Sequence, residues 1–556
     1  MTDDNINTAI KGTKRWWNNI KQISGDNNST NDRASAMFID DVWLSTEEFT
    51  HKLNSYYVEN HNKVDFPEIP AGGIPMDIPE HEVFKLLENI DTHKATSSAD
   101  FASWISKNNS HLLCAPVTDI INSILSSGKY PKLWKQAEVS PIPKTRNPTQ
   151  CKDMRPISLL FHLGKLAERV IAKHLRASLP RMTNQYAYTP SLRTTDALVK
   201  LTTDIITDLD CKNCIGARAL MLDFSKAFDR MQPNIAIRKL LDININPILI
   251  RTIESFLSER SQCVKYGGKL STYLPSYIGV PQGTILGPLL WNIYINDLAP
   301  NTNYVKYADD STVYHPIYTD DALISNSTSQ TATVSLPNNP LQEAADYATS
   351  WCEQNCMLLN ASKSNTITFT LRKQLEIDPI SINSSEVEDN CSVKLLGVTF
   401  DQHLRFSQHV DSIIEKCRPA FHAICKLRKA GVNDSSLTLF YKARIIPLMI
   451  YAAPCWYPLL GKTDKERLDK YQRHCLRLIY PNLEDSASRL DTAGLATVSV
   501  QLENQCHRYT KRIRSDNTHA LHDYIHTGGR ISSRIRRFIP VRKRTALSSR
   551  NLFRHY

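Results

Sequence analysis

Asn303-Tyr-Val-Lys-Tyr-Ala-Asp-Asp-Ser-Thr-Val-Tyr314 decides how this chain folds. β-Branched and aromatic residues flank a tight polar centre, Tyr307-Ala308-Asp309-Asp310, a composition that reads as strand, turn, strand. Adjacent aspartates at a hairpin tip bring two carboxylates within a few ångströms of each other. With no cation between them they repel by about 4 kcal/mol at an effective dielectric of roughly 20. Oxygen-only ligands of this kind suit Mg²⁺. Taken alone, the tetrapeptide reads equally as an exposed acidic turn, and the choice falls to the rest of the chain.

Asp223 makes that choice. Ala217-Arg-Ala-Leu-Met-Leu-Asp223 is a buried strand ending in an acid, and Phe224-Ser-Lys-Ala-Phe-Asp229 turns from it into a helix. A lone strand-terminal aspartate is more often a helix cap than a metal ligand. Here Val280-Pro-Gln-Gly-Thr-Ile-Leu-Gly-Pro288 stands between it and Asp309, and the three segments in this order resemble the catalytic palm of reverse transcriptases. The likeness extends outward. Val139-Ser-Pro-Ile-Pro-Lys144 and Arg155-Pro-Ile-Ser-Leu159 resemble the fingers segments, and Leu359-Asn-Ala-Ser-Lys363 and Leu395-Leu-Gly-Val-Thr-Phe400 the lysine-bearing and primer-side segments. Lys226-Ala-Phe-Asp229 and Arg473-His-Cys-Leu-Arg-Leu-Ile-Tyr-Pro481 are similar to non-LTR (LINE-type) retrotransposon polymerases, jockey-like ones in particular. The resemblance covers residues 80 to 520.

That resemblance implies an α+β right-hand polymerase of fingers, palm and thumb. The expected divisions are a flexible arm and Pro-rich linker over 1–79, a helical extension over 80–130, fingers and palm over 131–400, a helical thumb-like region over 401–500, and a basic tail over 501–556. The implied enzyme is a nucleotidyltransferase that extends a DNA primer 3′-hydroxyl with dNTPs on an RNA template, with target DNA as a further partner. Asp223, Asp309 and Asp310 would be catalytic and hold two Mg²⁺ ions, Mn²⁺ being able to replace them, with the Phe224 carbonyl as an added oxygen. Lys144 and Arg155 would grip the triphosphate, Arg in bidentate fashion and Lys as a point charge. Phe228 would crowd a ribose 2′-hydroxyl and so select dNTPs. Gln282 would touch the incoming nucleotide or nascent pair, Gly283 would admit close backbone approach, and Lys363 would protonate the leaving pyrophosphate. The bland counterparts are surface cations for Lys144 and Arg155 and a core aromatic for Phe228.

Two segments depart from the family's pattern. Ala95-Thr-Ser-Ser-Ala-Asp100 replaces a glycine-proline-aspartate-glycine turn, and Gln185-Tyr-Ala-Tyr-Thr-Pro-Ser-Leu-Arg-Thr-Thr-Asp196 lacks a glycine and an arginine. Both bear on the template side, and they keep open an inactive or domesticated nucleic-acid-binding relic. An RNA-dependent RNA polymerase shares the palm, but the bulk of Phe228 opposes it.

Composition is consistent with this reading. The 556 residues leave room for several units of domain size, and 41% hydrophobic with 22% charged residues is ordinary globular content. A formal charge of +11 favours a polyanionic partner. Nine Lys/Arg and no acid lie between Tyr524 and Tyr556, and Arg467, Lys470, His474 and Arg477 stripe a helix over Lys465–Tyr480. Both features would track template–primer phosphates or else be solvated faces. Thirteen scattered cysteines fit a reducing compartment, and Cys211-Lys-Asn-Cys214 has no partner pair at zinc spacing. Met1-Thr-Asp-Asp-Asn-Ile-Asn is no signal peptide, and the apolar run Ile445–Leu460 is broken by Pro447, Pro454 and Pro458. The expectation is a soluble intracellular ribonucleoprotein component, nuclear or cytoplasmic, with no membrane partner. It would be the polymerase part of an element, the chain itself starting too late to contain the N-terminal endonuclease of full-length relatives. Oligomeric state is left open.

Overall fold

The structure is a computed structural model that describes residues 12–24 and 36–522, except 60, 146, 181, 212, 320–322, 326–330, 337 and 372–373. The helices and strands used below are, in chain order, α1 (Lys14–Ser24), α2 (Thr46–Val58), β1 (Gln136–Pro143), β2 (Met154–Leu159), α3 (His162–Ser178), α4 (Thr194–Asp210), β3 (Cys214–Leu222), β4 (Arg260–Tyr266), α5 (Leu286–Tyr294), β5 (Asn303–Tyr307), β6 (Asp310–Tyr318), α6 (Pro340–Gln354), β7 (Asn365–Phe369), α7 (Ser407–Lys429), α8 (Lys462–Ile479) and α9 (Val498–Ser515).

An antiparallel sheet in the order β7-β3-β6-β5 is the centre of the molecule. Strand residues alternate between faces, and both faces here are buried. Ala217, Ala219 and Tyr314 join a core built from α4 and the C-terminal helices. Leu220, Leu222 and Val313 join a second core with Trp291 of α5 and Trp351 of α6. This two-sided burial explains why β3 is apolar apart from the buried Arg218. A second sheet, β2-β1-β4, carries the fingers segments. The mixed helix and sheet architecture agrees with a right-hand polymerase.

Several expected divisions differ from what the chain does. The 1–79 stretch is not simply an arm and linker. Trp16 on α1 is 0% exposed and meets Trp17 edge-on at 4.6 Å within the C-terminal core. A hairpin, Ala36–Ile39 with Val42–Ser45, leads through a Ser45–Glu48 capping box into α2. Phe49 and Leu53 of α2 pack on Val139 and Val264 of the fingers sheet. The Pro-rich stretch is a strap, since Arg251 donates to the Pro70 and Gly72 carbonyls at 2.8 and 2.5 Å and Asn122 accepts from Ile78 N at 2.8 Å.

Strand β1 has partners on both sides only at Glu138 and Val139, and over Ser140–Pro143, with its two prolines, it pairs with β2 alone and is an edge. Leu323–Ser325 and Thr331–Ser335 pair with each other, and the latter pairs with Gln374–Ile377. The expected boundary at 501 falls inside α9, and the basic stretch beyond 522 lies outside the described residues. No disulfide joins cysteines among the described residues. No helix among the described residues is long and apolar enough to cross a membrane.

Candidate active site

Register builds the site. Ser311 faces Leu222 and Asp310 closes the β5–β6 hairpin opposite Tyr307. One further step along β3 therefore sets Asp223 across from Asp310, with Asp309 in the turn beside them. Ala308 makes that turn with φ of 58°, an uncommon left-handed conformation for a residue with a side chain. The fold offsets its strain with Gln185, whose Oε1 accepts from Ala308 N at 3.1 Å and whose Nε2 donates to Ala308 O at 3.4 Å. Asp223 is pinned from the other side. Its N–H donates to Ser364 Oγ at 3.2 Å and its carbonyl accepts from Asn360 N at 2.8 Å. The Leu359–Lys363 segment is thus stitched to the end of β3.

The three aspartates feel one another. Asp310 is pushed up to about 6 by desolvation in the cleft, then by Asp309 and by Asp223, although its side chain still meets solvent. Asp223 is raised by burial and by Asp309, against an opposing pull from Lys363. Asp309 is raised by burial, against its own backbone amide and Arg155. Like charges gathered in a cleft and short of counter-charge form a donor set that a hard divalent cation satisfies, because each oxygen is anionic and the cation removes the repulsion. No three His, Cys, Asp or Glu side chains among the described residues already stand in ligating geometry. The fit is therefore one of donor chemistry rather than of a preformed cage.

Cations ring this floor. Lys144 is lowered by burial and then by Arg155, with Asp229 opposing and Lys363 and Lys226 adding to the effect. Lys144, Arg155, Lys226 and Lys363 therefore share one electrostatic neighbourhood with Asp309 and Asp223. Lys144 Nζ donates to the Lys152 carbonyl at 2.7 Å, and Lys144, Arg155 and Lys363 are exposed to solvent.

Gln282 is held at 2.9 Å by Asp229 Oδ1, and its carbonyl accepts from Ser158 N at 2.7 Å. Gly283 follows with φ of 123°, and a Cβ there would lie 2.8 Å from the Ser158 carbonyl. This contact lets the Pro281–Gly283 turn lie against β2. Phe228 is half-buried, its ring 5.4 Å from that of Trp291.

The sequence did not single out three supporting residues. Gln185 lay in a stretch read as an eroded template motif, yet it clamps the hairpin turn. Lys306 is 1% exposed, donates to the Ile295, Asn296 and Leu298 carbonyls at 3.0–3.1 Å, and is lowered to about 8 by burial. Its signal was a lysine inside an otherwise apolar strand. Glu168, a charge on the apolar face of α3, accepts from Ile285 N at 2.5 Å and Leu286 N at 3.1 Å, capping α5. The basic stripe on α8 is thinner than expected, because Arg467 is bound to Asp464 at 2.8 Å and to Asp411. Lys470, His474 and Arg477 remain exposed.

Comparison with known proteins matches residues 142–400 to the family described as reverse transcriptase (RNA-dependent DNA polymerase). The chain is 30% identical over 411 residues to the RNA-directed DNA polymerase from mobile element jockey of Drosophila melanogaster, covering 71% of this chain and 43% of that relative. It is 28% identical over 413 residues to the probable RNA-directed DNA polymerase from transposon BS of the same species, covering 71% and 44%. The jockey polymerase of Drosophila funebris is 29% identical over 373 residues, covering 65% and 39%. The chain thus spans less than half the length of these curated relatives. An apo telomerase from Candida tropicalis aligns over 70% of this chain and 68% of its own at 10% identity and a TM-score of 0.34, too loose a likeness to argue from.

Proposed function

We propose that this chain, which belongs through residues 142–400 to the reverse transcriptase family, extends a DNA primer on an RNA template with dNTPs, as a polymerase of a non-LTR retrotransposon. The observation that carries the proposal is the convergence of Asp223, Asp309 and Asp310, from two strands and a turn, into one coupled acidic floor.

Reverse transcriptases use divalent metal ions, and in our reading Asp223 and Asp309 hold two Mg²⁺, with Asp310 completing the floor. Bound there, the ions supply Lewis-acid activation of the primer oxygen and charge relief on the pyrophosphate. The protein's own groups do the remainder. Arg155 and Lys144 meet the triphosphate from the fingers, Phe228 bars a ribose 2′-hydroxyl, and the Gln282–Gly283 backbone lies flush with β2 so that a base pair can approach. Lys363, electrostatically coupled to Asp223, is the candidate proton donor to pyrophosphate. The exposed cations of α8 are suited to duplex phosphates, whose binding weakens steeply with salt.

Primer extension on poly(rA)/oligo(dT) tests the proposal. The wild-type chain should incorporate dTTP with Mg²⁺, and Asp309→Asn should lose on the order of 1,000-fold in rate while still binding the duplex. Salt-sensitive duplex binding with no extension by the wild type would leave only a binding role.

A further inference from the structure

We propose that Tyr56, on helix α2 and outside the matched residues 142–400, is a positioning residue that holds the Lys226 ammonium where it meets the phosphates of the incoming nucleotide. The inference rests on the polymerase reading above and adds a part of the chain which that reading does not use.

Lys226 sits three residues after Asp223 and opens the short helix Ala227–Arg230 with φ of 51°. A lysine in the left-handed region costs about 1 kcal/mol or more and persists only where its surroundings hold it. What holds its side chain is an aromatic face, since Lys226 Nζ lies 3.9 Å from the centroid of the Tyr56 ring. Among the described residues no carboxylate forms an ion pair within 4.0 Å of this ammonium, although Asp229 feels its charge. A cation rested on a π-face keeps its charge and its donors available, whereas a carboxylate partner would neutralise them.

The platform is itself rigid. Asn54 Nδ2 donates to the Thr272 carbonyl at 2.8 Å and the Gln262 carbonyl at 3.3 Å, clamping α2 to the fingers. Phe49 meets Tyr266 edge-on at 5.0 Å, and Tyr56 meets Tyr57 at 5.9 Å.

The rest of the helix end faces the same place. Ser276 Oγ and His61 Nδ1 lie 3.5 Å apart, and His61 is held down to about 4 by burial and then by Lys226. Tyr57 is raised by burial, by Cys151 and by Asp229, the carboxylate that grips Gln282. Lys226 also acts on Lys144. Lys144, Arg155, Lys226 and Lys363 therefore share one electrostatic neighbourhood, and the ligand class that satisfies such a set is a polyphosphate.

The test is dTTP affinity on the full chain bound to poly(rA) with a 3′-terminated oligo(dT) primer, read as a Kd without turnover, together with KM and kcat on an extendable primer. Tyr56→Leu should weaken dTTP binding and raise KM by roughly 3- to 10-fold, with kcat held within about two-fold. Tyr56→Phe, which keeps the π-face, should restore wild-type values. Lys226→Met should match Tyr56→Leu, and the double variant should lose no more than either alone. Unchanged dTTP affinity in Tyr56→Leu, or in Lys226→Met should the former fail to fold, overturns the inference while wild-type extension keeps the polymerase reading. A wild-type complex that binds no dTTP overturns both.

Discussion

Phe228 is half-buried against the core, and the two readings of it differ in what a small residue would do. Its ring contacts Trp291 at 5.4 Å, so Phe228→Ala should cost about 1–3 kcal/mol of stability in either reading. Only as a wall against a 2′-hydroxyl should the change also alter substrate choice. UTP incorporation relative to dTTP should then rise roughly 10- to 100-fold on poly(rA)/oligo(dT). A lowered melting temperature with an unchanged ratio would make Phe228 a core aromatic. Gly283 is plainer, because the space for its Cβ is occupied by a backbone carbonyl and its φ excludes most side chains. Residue identities of this sort were legible in the sequence because the chemistry leaves little choice: an acid beside acids, a glycine at a close approach. Gln185 was not legible, since a glutamine is unremarkable until the turn it clamps is seen to need a partner.

Elements were legible wherever periodicity was clean. The β-branched and aromatic residues flanking the turn in Asn303–Tyr314 and the stretch Ala217–Leu222 before Asp223 both formed strands. What could not be read were long-range attachments, such as the α2 helix on the fingers sheet or Glu168 reaching from α3 to cap α5, because nothing local marks their partners. His409 on α7 is another case, and it predicts a pH response. It is 2% exposed, its Nδ1 accepts from Thr399 N at 3.2 Å, and burial, aided by Lys416, holds it down to about 4 from an ordinary 6.5. Between those values the unfolded chain takes a proton that the folded chain refuses. The stabilisation is thus complete above about pH 6.5 and drains away as pH falls toward 4, by up to about 3 kcal/mol. Urea midpoints at pH 7.5 and pH 5 should differ more for the wild type than for His409→Asn, which keeps an acceptor for Thr399 without titrating. Equal pH slopes for the two proteins would show that the histidine is not the sensor.

At the scale of the whole molecule, α9 is tied back to the start of α4 by a buried acid, and Arg512 also donates to the Ser191 carbonyl at 3.3 Å. Asp196, 0% exposed at the start of α4, accepts from Arg512 Nη2 at 2.5 Å and from Tyr509 Oη at 2.9 Å, both on α9, while its second oxygen accepts from Arg193 N at 2.7 Å. The acid therefore caps its own helix and anchors another more than 300 residues away in the chain. Removing the acid leaves the partly exposed Arg512 charge and the Tyr509 hydroxyl without their partner, at a cost of about 1–3 kcal/mol. Asp196→Ala should consequently release α9 before the palm unfolds. Amides over 498–515 should exchange faster, and trypsin should cut within that span, while the β3–β6 amides keep their protection. Because α1 and α9 join the same core as α7 and α8, on the proposed polymerase function the loosened C-terminal side should also hold template–primer less tightly and extend fewer nucleotides per encounter, with single-nucleotide incorporation largely spared. Protection lost uniformly across sheet and helices would mean instead that Asp196 supports the fold as one cooperative unit, with no separable docking of the C-terminal helix.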